Sequence, residues 1–310
     1  MTSQSRSQSR ELYLVTDIDG TVVPHPYHSG LSQEERNPYI KKLLDLMRNH
    51  HVACVTGRTM AGWQRLWREA EIEPHLPRLM GLSFGADIYE HGKHVDVRKP
   101  SRELSEVVTE LRNALEGEPA FRQQADTRDV MLRGRLQGYY FEEKTHIVQL
   151  DWNFATEAMN LRFAEHVFHV LNPHLAKAAS LRCQVFHRRI DILANGFVPK
   201  AELASHVTEW VHNTRLAQVV PSRVTNKRNS HTASLHAEGH PLDPKPECLV
   251  LGDELYDDYL FESMRSMVPR VFHRVTCIGV DNGIGTRFRH AHRTVLGPDG
   301  AWAAIAEWLA

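Results

Sequence analysis

No apolar run in this chain of 310 residues approaches the roughly 20 residues that a bilayer-spanning helix needs. A function inside a membrane is therefore not expected. Neither sign of charge is in excess: 37 Lys and Arg face 38 Asp and Glu, for a formal charge of −1. That balance removes the electrostatic case for nucleic acid or an anionic membrane as a partner. Cysteine is scarce. Cys54, Cys183, Cys248 and Cys277 all fall in predicted strands without paired spacing, which fits buried reduced thiols and not a disulfide framework. The 20 histidines are scattered. His166/His169 and His290/His292 lack carboxylate or Cys partners at ligand spacing, so no zinc site is expected. Residues 1–10 are dominated by Ser, Gln and Arg, and the apolar run behind them is short. They read as a disordered tail on a cytoplasmic protein and not as a signal peptide.

What the chain does contain is a succession of short buried strands and amphipathic helices. Leu12-Tyr13-Leu14-Val15 reads as a core strand that runs into Thr16-Asp17-Ile18-Asp19-Gly20-Thr21. Positions i and i+2 of a strand point to one side, so Asp17 and Asp19 can serve a single site. Ile40, Leu43, Leu44 and Met47 mark a helix over 33–49. A strand at 52–55 ends in Thr56-Gly57-Arg58, a helix carries Met60, Trp63, Leu66 and Trp67, and a third strand spans 79–84. Strand–helix alternation of this kind predicts a parallel sheet wrapped by helices, with ligands bound beyond the carboxyl ends of the strands.

The pattern changes near Lys93. An amphipathic helix over 101–117 and strands with alternating polar residues at 139–152 and 181–188 indicate an antiparallel sheet with one open face. A helix over 156–171 lies between them. Residues 93–189 are therefore expected to form an α+β module inserted into a doubly wound, Rossmann-like α/β core comprising 11–92 and 190–310. The core is expected to resume with a strand at 189–193, a helix from Ala201, a strand at 248–251 and a last strand at 275–280. The polar, His-, Asn- and Pro-containing stretch 221–247 reads as a surface loop.

Four groups thus fall at predicted strand or turn ends: Asp17 with Asp19, Thr56, Lys200, and Asp253 with Asp257 in Gly252-Asp253-Glu254-Leu255-Tyr256-Asp257-Asp258. In this order they resemble the haloacid dehalogenase-like phosphatase superfamily: D-x-D-G-T, a strand-end Thr, a Lys opening a helix, and G-D-x-x-x-D. The inserted module has the position of a type-2 cap. Val55-Thr56-Gly57-Arg58, Gly85-Ala86-Asp87-Ile88-Tyr89 and the Asp191 to Lys200 stretch resemble the sucrose-phosphate phosphatase group. The chain departs from that group at Glu254 and Tyr256, where Ser and Asn are usual, and at Ala201, where Gly often follows the Lys.

The resemblance implies a Mg²⁺-dependent phosphomonoester hydrolase acting on a small sugar phosphate. Asp17 is then the nucleophile and Asp19 the acid and base. A second Asp at this position argues against dehalogenation. Thr56 with the adjacent backbone N–H at Gly57 would hold a phosphoryl oxygen, and Lys200 would offset the shared negative charge. The metal ligands implied are Asp17, the Asp19 carbonyl and Asp253, with Asp257 positioning Lys200 or standing beside the metal; Asp258 competes with Asp257 for that role. Arg58 is a candidate substrate contact or a structural ion pair. Lys144, Trp152, His187, Arg188 and the Tyr139-Tyr140 pair are candidates for facing the sugar. A sugar phosphomutase and a non-catalytic sugar-phosphate-binding protein are the alternatives; oligomeric state is not legible.

Overall fold

The first strand, β1 (Leu12–Thr16), alternates its side chains between two fully covered faces. Tyr13 and Val15 pack on one side and Leu14 on the other. A computed structural model describes residues 11–26, 29–97, 101–121, 138–177, 181–186, 188–219, 245–283 and 285–310. The expected tail at 1–10, nearly all of the expected loop at 221–247, and His187 lie outside these residues.

β1 lies within an eight-stranded sheet of order β12-β11-β10-β1-β2-β3-β4-β5. Here β2 is His51–Val55, β3 Leu79–Leu82, β4 Asp87–Glu90, β5 Lys93–Val97, β10 Glu247–Gly252, β11 Arg274–Asp281 and β12 Arg293–Leu296. The strands from β12 to β3 are parallel, and β4 and β5 add an antiparallel hairpin. Helices α1 (Gln33–Asn49), α2 (Met60–Glu69) and α7 (Gly297–Leu309) cover one face, where Ile40, Leu43, Trp63 and Ile305 meet Leu14, Cys54 and Leu249. The chain enters α1 through a capping box, in which Ser32 and Glu35 satisfy each other's backbone N–H. Helices α5 (Leu203–Val219) and α6 (Leu255–Arg265) cover the other face, burying Trp210, Val207 and Phe261 against Tyr13, Val15 and Val250.

A second sheet is antiparallel, of order β6-β7-β9-β8, with β6 Gly138–Glu143, β7 Ile147–Asn153, β8 Leu181–Phe186 and β9 Arg189–Ala194. Helices α3 (Arg102–Glu116) and α4 (Glu157–Lys177) pack on one of its faces. Alternation settles which side chains go where. Val148, Leu150, Ile190 and Ile192 join Leu111, Phe163 and Val167 beneath the helices. Ile147 and Leu193 face the opposite way, toward Phe84 and Tyr256 of the larger unit.

Three expectations are corrected. The strand at 189–193 does not resume the parallel sheet; β9 pairs antiparallel with both β7 and β8. Its continuous burial arises because helices cover one face and the larger unit the other, which imitates the all-apolar pattern of a parallel core strand. Residues 93–97 pair with β4 in the large sheet and do not open the second unit. The helix after Lys200 starts at Leu203 because Lys200 itself adopts φ 64°, outside the helical region. The edge strand β12, short and mostly exposed, carries no apolar pattern that would announce it.

Candidate active site

The backbone of Asp17 extends the β1–β10 ladder by one bond, its N–H donating to Leu251 O at 3.0 Å, so its carboxylate leaves the sheet at the carboxyl edge. There it meets Lys200, whose Nζ lies 3.3 Å from Asp17 Oδ2 and 2.8 Å from Asp257 Oδ1. All three side chains are buried. Burial alone would lower the Lys200 pKa; Asp17, Asp257 and their acidic neighbours reverse that and keep it protonated. Lys200 reaches this position from a left-handed backbone, a conformation that costs an L-residue roughly 1–2 kcal/mol. Its N–H donates to the carbonyl of Phe84, another left-handed residue in the turn after β3. Strain of this kind persists where surrounding contacts over-determine it.

Asp257 is fully engaged. Its Oδ2 accepts the N–H groups of Asp253 and Glu254 at 3.1 and 2.9 Å while Oδ1 accepts from Lys200. Gly252 permits this, since a Cβ there would lie 2.1 Å from Asp257 Cγ. Asp258 turns away and accepts from the His290 N–H at 2.8 Å, with the His290 ring beside it at 3.0 Å. Geometry therefore separates two consecutive acids that the sequence leaves equivalent.

Asp253 is held by donors on both oxygens: Thr21 Oγ1 at 2.8 Å and Asn282 Nδ2 at 2.9 Å. Asn282 was not singled out from the sequence. Its only signal is position, one residue past the end of β11, the same edge that carries Asp17, Thr56 and Asp253. Gly20, at φ 84°, lets the D-x-D-G turn close over this carboxylate; a Cβ on it would sit 2.1 Å from Asp253 Oδ2.

Asp19 points across to Arg58. The guanidinium donates to both carboxylate oxygens, Nε at 2.6 Å and Nη2 at 2.7 Å, while Nη1 donates to the Gly62 carbonyl at 3.0 Å. Burial works to raise the Asp19 pKa, and the Arg58 charge with its hydrogen bonds overrides it, holding the carboxyl below its ordinary value. Thr56 is buried beside them, with Oγ1 accepting the Arg58 N–H at 3.2 Å and its own N–H spent on Gly81 O. Among the described residues its hydroxyl proton has no acceptor in the protein.

The carboxylates of Asp17, Asp253 and Asp257 place oxygens within 4.8 Å of one another. Burial pushes Asp17 up to about 7, with Lys200 opposing and Asp257 and Glu254 reinforcing, and drives Asp253 well above its ordinary value. Crowded, desolvated hard-oxygen donors with one ammonium among them suit a small divalent cation. The residues fit Mg²⁺.

Asp17, Asp19, Thr56, Arg58 and Asp253 line the floor of a cavity of about 1010 Å³, with Lys200 and Asp257 buried behind them, and the second sheet lines its roof. Tyr140, Lys144 and Arg188 reach it, as do Gln149, Asp151 and Arg189, which the sequence does not single out; Trp152 touches its edge but packs its ring on Phe163 beneath the helices. Tyr139 does not reach it; it faces the helices and stacks on Phe163.

No protein-family model matches this sequence, and no curated protein matches it. Solved structures do share its fold. The C-terminal domain of Candida albicans trehalose-6-phosphate phosphatase superposes with TM-score 0.60 at 15% identity, over 97% of this chain and 92% of that one. A haloacid dehalogenase-like hydrolase from Bacteroides thetaiotaomicron gives TM-score 0.57 at 12% identity, over 96% and 99%. The C-terminal domain of a Candida albicans trehalose synthase regulatory protein gives TM-score 0.55 at 12% identity, over 93% and 91%. The chain thus shares its overall fold with a haloacid dehalogenase-like hydrolase and with a trehalose-6-phosphate phosphatase domain. One of these structures is a phosphatase domain and another a regulatory-protein domain, so the shared fold does not fix an activity.

Proposed function

We propose that this protein is a Mg²⁺-dependent phosphomonoester hydrolase that releases phosphate from a small sugar phosphate through an aspartyl-phosphate intermediate. The observation that carries the reading is Lys200, buried between Asp257 and Asp17, with Asp17 itself lining the cavity floor in front of it. A carboxylate facing substrate space with a fixed ammonium at its back is arranged for attack on an anionic phosphorus centre.

In this reading an Asp17 oxygen attacks phosphorus while the bond from phosphorus to the sugar oxygen breaks. Asp19 gives that oxygen its proton. Asp19 then takes a proton from water, whose oxygen attacks phosphorus, and the bond to Asp17 breaks to free inorganic phosphate. Thr56 and the Gly57 N–H hold a phosphoryl oxygen during both steps. Phosphate entering beside Thr56 competes with Asp19 for the Arg58 guanidinium, and its negative charge raises the Asp19 pKa toward the range where that carboxyl carries a proton. Asp17, Asp253 and the Asp19 carbonyl would hold Mg²⁺, which would supply neutralisation of phosphoryl charge. The unit bearing the second sheet serves as a cap that narrows water access and selects the sugar. Sucrose phosphate, from the sequence resemblance, and trehalose 6-phosphate, from the phosphatase whose domain shares the fold, are the first candidates.

A screen of phosphate release over sugar, amino-sugar, disaccharide and polyol phosphates, with and without Mg²⁺, tests this. Asp17→Asn is expected to abolish release while the protein stays folded. Full activity in that variant overturns the nucleophile assignment, and activity confined to nucleotides or phosphoproteins overturns the sugar reading. Steady release without a bisphosphate activator separates hydrolase from mutase. The retention of Asp17, Asp19, Thr56, Lys200 and Asp253 favours catalysis over silent binding.

A further inference from the structure

Tyr256 stands where Asn is usual in the sequence group that the chain resembles, and its hydroxyl does not face the phosphate floor. It donates to Asp191 Oδ2 of β9 at 2.7 Å, with both residues buried. Asp191 is the centre of a small array. Arg189 docks on it through Nε at 2.9 Å and Nη2 at 2.8 Å, and Gln149 Nε2 donates to it at 3.2 Å. The Arg189 guanidinium lies 4.4 Å from the centroid of the Phe186 ring. Two of its five N–H donors are committed to Asp191. Among the described residues the others have no acceptor, and the side chain lines the cavity.

Charge on this roof is internally balanced. Each cap cation at the cavity wall has an acid beside it on the same unit: Lys144 with Glu142 at 3.4 Å, Arg188 with Glu157 at 2.9 Å, Arg189 with Asp191 at 2.8 Å. A roof built for a second phosphate or a carboxylate would carry a cation in surplus. This one offers oriented donors and acceptors without net positive charge, which suits hydroxyl groups.

We propose that Arg189 is the residue that selects an uncharged, polyhydroxylated leaving group, and that Asp191 and Tyr256 are the positioning residues that fix its guanidinium. The assignment rests on the phosphatase reading above and deepens it. Asp191 prevents rotation of the fork, the Phe186 face prevents its tilting, and Tyr256 transmits the position of α6, which carries Asp257, to the sugar-binding roof. The departure from the usual Asn is thereby given a task.

The test compares one substrate with hydroxyls, the best sugar monophosphate of the screen, with one without them, p-nitrophenyl phosphate. The quantity read is the ratio of their kcat/KM values in wild type, Arg189→Lys and Tyr256→Phe. Lys keeps the charge but loses the fork. The ratio is expected to fall about tenfold in Arg189→Lys and severalfold in Tyr256→Phe, through KM for the sugar phosphate. A general loss of structure would depress both substrates together and leave the ratio unmoved; that result overturns the inference. So does a preference for sugar bisphosphates over monophosphates in the wild type. Absence of Mg²⁺-dependent release from any phosphate ester overturns the hydrolase reading itself and is distinguishable from both.

Discussion

Arg58 grips Asp19 through two parallel hydrogen bonds of 2.6 and 2.7 Å, so the proposed proton carrier rests as a paired carboxylate. A bidentate guanidinium is not replaced by an ammonium, which presents a single point of charge on a flexible stem. In Arg58→Lys the Asp19 pKa is expected to rise toward its ordinary value. The limb of the pH profile of kcat/KM that reports Asp19 then moves to higher pH. A profile superimposable on wild type would show that Arg58 does not tune Asp19.

Asp257 and Asp258, adjacent in sequence, are predicted to fail in different ways. Asp257→Asn removes the charge that steadies Lys200 at 2.8 Å, and a drop in kcat of a hundredfold or so is expected, since prearranged charge is the dominant catalytic term. Asp258→Ala breaks only the contacts to His290 at the far side of α6. It is expected to cost about 1–2 kcal/mol of stability and leave kcat within about twofold of wild type. Steady-state kinetics paired with thermal unfolding separates the two; the reverse pattern would exchange their roles.

The parts of the site legible in the sequence are those that follow from strand ends. Asp17, Thr56 and Asp253 each follow a buried apolar run, and such runs deliver their next residue to the edge of a parallel sheet. The partnership of Arg58 with Asp19 depends on the path of a turn between β2 and α2, which no local pattern encodes. The sheet to which β9 belongs is illegible for a related reason: burial on both faces looks the same in a parallel core and beneath a second unit. Lys200 is legible through its motif, whereas its left-handed backbone goes with the tertiary hydrogen bond to Phe84.

Gly20→Ala is expected to be disproportionately damaging for a change of one methyl group. The new Cβ would lie 2.1 Å from Asp253 Oδ2, in a backbone at φ 84° that L-residues rarely adopt. Relief requires Asp253 to leave Thr21 and Asn282. Apparent Mg²⁺ affinity should weaken by about tenfold or more, measured by calorimetry or by the Mg²⁺ dependence of phosphate release. Unchanged affinity would mean that Asp253 does not hold the ion.

The buried acids also make metal-free stability depend on pH. The Asp17 carboxyl has an ordinary value of 3.8 and is pushed up to about 7 by burial in the folded protein, and Asp253 moves in the same direction. Between those limits the folded state holds a proton that the unfolded chain has released. Stability is therefore greatest near the lower limit and declines as pH rises through the window. Mg²⁺ binds the ionised carboxylates and stabilises the fold by mass action, more strongly where no proton has to be displaced. The rise in Tm produced by a saturating, fixed Mg²⁺ concentration should thus be larger at pH 8 than at pH 5, by several degrees. In Asp17→Asn the pH-dependent loss shrinks, because one desolvated carboxylate is gone. Equal Mg²⁺ shifts at the two pH values in the wild type would remove Asp17 and Asp253 from the metal site.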